Sequence, residues 1–199
     1  MVTKRAARPR AARWEPVRRR FTLAEWDAMI AAGLFAKEER IELIEGEILC
    51  MAPIGEPHAM CTSCLIYWFS RRLPETAHVR AQDPIRLAIS APQPDIAIAR
   101  GLPQRYYRAH PVPDDILLLI EVASSSLGYD REVKLPLYAA AGIVEVWIVD
   151  LDRERVFVYR APRDGAYTRR TIVRRGGTVT PLAFPELALP LDDVLAPRE

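Results

Sequence analysis

The sequence predicts an α/β protein, with a mixed β-sheet flanked by helices in a single domain. Its 199 residues, 50% hydrophobic and 27% charged, are typical of one soluble globular domain. Segments with helical periodicity alternate with strand-like apolar runs, as in proteins that pack helices against a sheet. Apolar runs such as 116–120 are too short to span a bilayer, so no membrane partner is expected.

The first half of the chain is predicted to contain two helices and a hairpin. Thr22-Leu-Ala-Glu25 is a capping box that starts a short helix, and Gly33 is its stop signal. Residues 40–51 form two apolar arms around Glu45-Gly46, a pattern typical of a β-hairpin. A second helix is expected from His58 to about Leu73.

The second half is predicted to contain most of the sheet. Residues 116–123 are apolar on both faces, which indicates a central strand. The other expected elements are strands at 84–89, 94–99, 144–150 and 155–160, a helix at 130–141 and a hairpin turn at Gly176-Gly177.

Charge divides the chain into a basic arm and an acidic body. Residues 1–20 carry eight basic side chains and one acid, whereas residues 21–199 have a net charge of −5. The arm lacks the apolar stretch of a secretory signal and is predicted to be disordered and solvated. A weak contact with nucleic acid is its alternative role. The folded domain is therefore expected over residues 21–199.

Three cysteines indicate neither a disulfide framework nor an oxidising compartment, so a cytoplasmic location is expected. Cys61-x-x-Cys64, with His58 just before it, is one pattern for a metal or redox cluster. However, Cys61, Cys64, Leu65 and Trp68 share one helical stripe. Packing against the core is the favoured interpretation of both cysteines.

Two acids on neighbouring strands are the strongest candidates for chemistry. Glu121 interrupts the apolar central strand, on the same face as Leu117 and Leu119 by alternation. A buried carboxylate requires a cation, a metal ion or a raised pKa. Asp95 opens an adjacent strand, directly after Pro94. Together these carboxylates supply the oxygen ligands that Mg²⁺ or Mn²⁺ prefers.

Lys134 is the third candidate. It lies four residues after Asp130 in the predicted helix, so the two side chains share a face. A surface ion pair between them is one interpretation. The other is a catalytic role for Lys134 in orienting a water molecule or stabilising charge on a phosphate.

These residues resemble a known family. Pro94-Asp95, Glu121-Val-Ala-Ser124, Asp130 and Lys134 are similar to the PD-(D/E)xK superfamily of restriction-endonuclease-like nucleases. The stretches 41–47, 120–126 and 134–150 resemble, more specifically, the Uma-two family of proposed bacterial endonucleases. The resemblance covers about residues 20–195. It implies a restriction-endonuclease-like mixed β-sheet flanked by helices.

The resemblance also implies roles for individual residues. Asp95 and Glu121 would bind Mg²⁺ or Mn²⁺, with help from the backbone carbonyl of Val122. The superfamily places its lysine two residues after the glutamate, where this chain has Ala123. The Uma-two family has its lysine on the following helix, which matches Lys134.

Two further residues match the family with less defined roles. His58, at a helix start, would contact a phosphate or water; helix capping or partial burial is the alternative. Glu42 matches a recurrent family acid, although exposed hairpin acids usually serve solubility. Arginines that could line a DNA groove, or simply be scattered on the surface, are Arg80, Arg86, Arg100 and Arg105.

The expected function is therefore that of a metal-dependent endonuclease that hydrolyses phosphodiester bonds in DNA, with Asp95, Glu121, Lys134 and His58 as its catalytic residues. One alternative is a non-catalytic interaction protein on a nuclease fold. Another is a metal-dependent hydrolase of RNA or nucleotides. The resemblance adds a homodimer as an expected assembly, because double-strand cutters with this fold often pair.

Overall fold

The computed structural model describes residues 17–36 and 39–197. Most of the predicted basic arm, residues 1–16, lies outside the described residues. Arg19 forms an ion pair with Glu25, and Arg20 donates a hydrogen bond of 2.9 Å to the carbonyl oxygen of Glu45. The last residues of the predicted arm thus lie against the body of the protein.

A six-stranded mixed sheet organises the molecule, in the order β3-β4-β5-β6-β7-β8. Only β5 and β6 are parallel; the other neighbouring strands are antiparallel. The strand bounds are β3 Ala77–Ala81, β4 Ile96–Arg100, β5 Ile116–Ala123, β6 Glu145–Asp150, β7 Arg155–Arg163 and β8 Ala166–Arg174. The predicted mixed sheet in a single α/β domain is confirmed.

The elements before the sheet follow the sequence prediction closely. Helix α1 (Leu23–Ala31) begins with the predicted capping box, in which Thr22 and Glu25 bond reciprocally. Strands β1 (Ile41–Ile44) and β2 (Glu47–Cys50) form the predicted hairpin. Helix α2 (Glu56–Ser70) follows, with its first turn at His58.

The helical connection from β5 to β6 contains an irregular turn. Its parts are α3 (Leu127–Tyr129), a π-helical turn (Asp130–Lys134) and α4 (Leu135–Ala140). Pro136 has no N–H to donate, and the preceding Leu135 N–H bonds back to the Asp130 carbonyl. The wider turn thereby admits the proline without ending the helical path, and Lys134 lies in it.

Apolar side chains bury both faces of the sheet, and every residue of β5 is buried. A bulge at Leu117 changes the register of β5 against β4. Leu117 therefore packs in one core with Leu118 and Ile120, whereas Leu119 packs in the other. The expected shared face of Glu121 and Leu117 is wrong for this reason.

Some predicted local elements are wrong. Residues 84–89 form no strand, because the Ile85 and Leu87 N–H groups bond to Pro92 and Ser90 within one loop. Strand β3, whose alternation is weak, was not predicted. The turn of the β7–β8 hairpin lies at Asp164-Gly165. Gly176-Gly177 instead connects β8 to a small separate sheet of β9 (Thr178–Val179) and β10 (Leu189–Pro190).

Among the described helices, none combines the length and apolar character that crossing a bilayer requires.

Candidate active site

Asp95 and Glu121 meet where β4 begins and β5 ends. The pairing of Ile96 with Ile120, continued by one residue, sets Asp95 opposite Glu121. The Asp95 N–H donates a 3.3 Å hydrogen bond to Glu121 Oε2, and the Val122 N–H donates one of 2.9 Å to Asp95 Oδ2. Both side chains are buried. The structure therefore brings together the two acids that the sequence singled out.

Lys134 joins this pair from the π-helical turn. Its Nζ lies 3.3 Å from Glu121 Oε1 and 2.9 Å from Glu42 Oε1 on β1. Lys134 and Asp130 are both 3% exposed, so the alternative of a surface ion pair between them is wrong. The interpretation of Glu42 as an exposed hairpin acid is also wrong, since it is 1% exposed. Lys134 bridges two buried carboxylates.

Several supporting residues were missed at the level of sequence. The Tyr138 hydroxyl donates a 2.6 Å hydrogen bond to Glu121 Oε1. Its position four residues after Lys134, on the same helical face, is a signal that could have identified it. The Gln93 N–H donates to Glu42 Oε1 at 2.9 Å, and Ser126 Oγ donates to Asp130 Oδ2 at 2.7 Å. Nothing in the local sequence pattern indicates the contact of Gln93.

His58 reaches the same centre from the first turn of α2. Its Nε2 lies 3.0 Å from Asp95 Oδ2, and its Nδ1 lies 3.4 Å from the Thr62 hydroxyl. The ring is partly buried, with 16% of the side chain exposed. His58 thus holds one oxygen of Asp95, while the second oxygen has, among the described residues, only a 3.4 Å contact with Gln82.

The electrostatics of the cluster favour added positive charge. Burial, together with the charges of Asp130, Asp95 and Glu42, raises the pKa of Glu121 to about 8, although Lys134 opposes the shift. Burial likewise raises the pKa of Asp130 to about 6. Burial alone would lower the pKa of Lys134, but the charges of Glu121 and Glu42 raise it. Lys134 is therefore protonated at neutral pH.

Asp95 differs from its acidic neighbours. Burial would raise the pKa of Asp95, but the hydrogen bond and charge of His58 and the Val122 N–H outweigh burial and lower it. Asp95 is consequently ionised at neutral pH, whereas burial favours the protonated form of Glu121. Four acids surround one lysine here, so carboxyl groups outnumber ammonium groups and an additional cation would offset the excess negative charge.

These groups line an open cleft of about 300 Å³. At ~30 Å³ for each water molecule, the cleft has space for a phosphate group and several waters. Glu42 Oε2 is buried there without a hydrogen-bond partner among the described residues. The charged lining residues are Arg40, Glu42, Asp95, Glu121, Asp130 and Lys134.

The donor set fits a hard divalent cation. Asp95 and Glu121 offer carboxylate oxygens. The N–H group of Val122 points toward Asp95, and the carbonyl of the next residue, Ala123, points to the opposite side, where it accepts a hydrogen bond from the Leu151 N–H. Because the N–H and carbonyl groups of one strand residue point to the same side, the Val122 carbonyl lies on the side of Asp95. Within the described residues, no three His, Cys, Asp or Glu side chains form a complete metal cage. Mg²⁺ needs no such cage, because it keeps several waters and binds one or two carboxylates plus substrate phosphates.

The other candidates from the sequence lie elsewhere. Cys61 packs in the core with Leu65 and Trp68, and burial raises the pKa of its thiol to about 12. All three cysteines are free. Three of the suggested DNA-groove arginines are paired with acids, Arg80 with Asp83, Arg86 with Asp27 and Arg105 with Asp115.

Comparison with known families identifies the chain. The sequence profile of the Uma2 family, described as "Putative restriction endonuclease", matches residues 23–192. The chain belongs to the Uma2 family. The match spans the sheet and every element that positions the Asp95–Glu121–Lys134 cluster, and it confirms the resemblance seen in the sequence.

A solved structure shares the fold of this Uma2 protein. It is described as a "putative nuclease belonging to DUF820" from Anabaena variabilis. The two chains superpose with a TM-score of 0.69 at 20% identity, over 87% of this chain and 97% of the other. This similarity confirms the predicted fold, a mixed β-sheet flanked by helices. No curated protein matches this Uma2 chain.

Proposed function

We propose that this protein is a metal-dependent endonuclease that hydrolyses phosphodiester bonds in DNA. The observation that carries the proposal is the convergence of Asp95, Glu121 and Lys134, from two strands and a helical turn, on one cleft. Family membership supports a nuclease, and the excess of carboxylates over cations in the cleft supports a divalent ion as cofactor. The proposal takes Mg²⁺ or Mn²⁺ as that ion.

Each residue has a distinct task in the proposed reaction. Asp95, Glu121 and the Val122 carbonyl would hold the ion, which when bound polarises water and offsets charge on the phosphate. His58 keeps Asp95 oriented through its 3.0 Å contact. Tyr138 fixes Glu121 through its hydroxyl. Lys134, kept protonated by Glu42, stabilises negative charge that develops on the phosphate.

Cleavage of plasmid DNA tests the proposal. We expect Mn²⁺-dependent nicking or linearisation by the wild-type protein and none by Asp95→Asn or Lys134→Ala. Glu132→Gln is the matched control, because this acid is exposed on the same helical turn and does not line the cleft. Activity that survives both cleft substitutions would contradict the assignment of the site.

Substrate and metal comparisons separate the alternatives. Duplex DNA, single-stranded DNA and RNA are offered in parallel, and preferential cleavage of RNA would overturn the choice of DNA. A non-catalytic protein on this fold would cleave none of them. Thermal unfolding with Mn²⁺ reports binding independently, since a ligand at about 100 times its Kd stabilises the fold by about 2.7 kcal/mol.

The proposal also includes a cytoplasmic location, supported by three free cysteines. A homodimer is tested by sedimentation of the purified protein with and without duplex DNA. A monomer in both conditions would remove the dimer from the proposal and leave the active site unaffected.

A further inference from the structure

Strand β8 carries three arginines, Arg169, Arg170 and Arg174, that form no ion pair with a described residue. Residues 165–185 contain four arginines and no acid. Arg170 and Arg174 are exposed and have no carboxylate partner within the described part of the chain. Arg80, Arg86 and Arg105 differ from them, because their guanidinium groups are paired with acids.

These arginines share one face of the sheet with two more. In the β7–β8 ladder, Arg174 lies directly opposite Arg155, and Arg170 lies opposite Tyr159. Arg131, on the helical turn, places its guanidinium 5.4 Å from the centroid of the Phe157 ring, and Arg155 places its own at 4.5 Å. We call Arg131, Arg155, Arg170 and Arg174 the β7–β8 basic surface.

The charge on this surface is largely uncompensated. Arg155 is paired with Asp150 at 2.8 Å, whereas Arg131, Arg170 and Arg174 have no such partner among the described residues. Arg174 lies directly opposite Arg155, and like charges in that position destabilise a sheet unless acids offset them; among the described residues, only Arg155 of the two has such an acid. Since residues 21–199 carry a net charge of −5, this surface is a local exception.

Arg155 and Arg174 lie at the same end of the sheet as the candidate active site, and Arg170 lies four residues earlier on β8, in register with Leu119 of β5. Ala123, at the end of β5, pairs with Asp150 in parallel β6, and Asp150 pairs with Arg155. From β5 to β8 are three strand spacings, about 14 Å in all. That separation corresponds to about four base pairs along a DNA duplex. Arg131 directly follows Asp130, which lines the cleft.

We propose that the β7–β8 basic surface binds the phosphate backbone of duplex DNA beside the cleft. The proposal rests on the proposed function in its choice of DNA. Arginine guanidinium groups suit phosphate oxygens, and rigid presentation from a strand pair reduces the entropy lost on binding. The surface would thus supply the positive field that the acidic body and the acidic cleft lack.

Binding of a fluorescent duplex in EDTA tests the proposal without cleavage. Arg170→Ala/Arg174→Ala removes two charges from the surface. The control, Arg163→Ala/Arg169→Ala, removes two positive charges from the same hairpin but not from this surface. Arg169 lies opposite Arg160 on the other face of the sheet, and Arg163 lies beside the turn. We expect the first variant alone to lose about tenfold or more in affinity. Its slope of log K against log salt should fall by about 1.8, at 0.9 for each phosphate contact.

The outcomes separate this proposal from the proposed function. Equal losses in both variants, or no duplex binding by the wild type, would overturn the basic surface even if Mn²⁺-dependent cleavage persists. Selective loss in the first variant, with no cleavage by the wild type, would retain the surface and refute the nuclease. If the first variant loses affinity for an RNA duplex but not for a DNA duplex, the choice of DNA is overturned. Circular dichroism checks that both variants fold.

Discussion

The ammonium of Lys134 lies 2.9 Å from a carboxylate oxygen of Glu42, and both side chains are almost fully buried. This contact links the first hairpin to the helical turn after β5, across 92 residues of sequence. Removing one partner of a buried ion pair leaves an uncompensated charge, which is costly. The pair therefore couples the stability of the fold to the arrangement of the cleft.

Glu42→Ala should destabilise the protein by about 3–5 kcal/mol, because it leaves Lys134 partly unpaired and opens a cavity. Urea unfolding followed by circular dichroism measures the change. Glu45→Gln, at the exposed turn of the same hairpin, is the control and should differ from the wild type by less than about 0.5 kcal/mol. Equal stability of Glu42→Ala and the wild type would show that the pair contributes nothing.

The metal-free protein should lose stability as pH rises through about 8. The pKa of Glu121 is raised from 4.5 to about 8 in the folded state, so the folded protein binds the proton more tightly than the unfolded chain. The resulting stabilisation is complete below about pH 4.5 and is lost as pH rises through the folded pKa.

Glu121→Gln checks this dependence, since glutamine mimics the protonated acid. Urea midpoints in EDTA, from pH 5 to pH 9, should fall more steeply for the wild type than for the variant. Asp130, with its pKa raised to about 6, contributes a decline in both proteins and cancels in the comparison. Parallel curves would mean that Glu121 ionises normally.

Binding of Mn²⁺ should release protons near neutral pH. Because the pKa of Glu121 is about 8 without metal, a cation that binds its carboxylate must displace a proton at about pH 6.5. Titration calorimetry in buffers of different ionisation enthalpy measures that release. We expect close to one proton at about pH 6.5 and a decline toward zero above about pH 9.

Glu132→Gln should reproduce the wild-type proton release, whereas Glu121→Gln should bind Mn²⁺ much more weakly. Tight binding by Glu121→Gln with unchanged proton release would place the metal elsewhere.

His58→Ala should move the acidic limb of the cleavage profile to higher pH. The hydrogen bond and charge of His58 oppose the effect of burial on Asp95 and help to lower the pKa of that carboxyl. Without the imidazole, Asp95 protonates at a higher pH and is lost as a metal ligand sooner. Single-turnover cleavage rates across pH measure the shift.

His58→Gln offers a neutral hydrogen bond in place of the imidazole and should restore part of that shift. A uniform loss of rate at every pH would instead assign His58 a role independent of Asp95.

The sequence predicted the elements whose residues repeat with a clear period. The capping box at Thr22 and the apolar run at 116–123 specify their structures locally, and both were confirmed. The strand expected at 84–89 does not form, because the N–H groups of its alternating residues Ile85 and Leu87 bond to carbonyl groups of the same loop rather than to a neighbouring strand. Strand β3 was missed because its pattern is weak, and its place at the sheet edge comes from pairing with β4.

By itself, the sequence determined the fold class, the family resemblance and the candidates Asp95, Glu121, Lys134 and His58. Only the tertiary structure decided that Glu42 shares Lys134 with Glu121, and that Arg170 and Arg174 join Arg131 on one face. The physical reason is that periodicity reports which side of an element is buried. Strand register and chain crossings decide which distant side chains meet, and neither is encoded in any short stretch of residues.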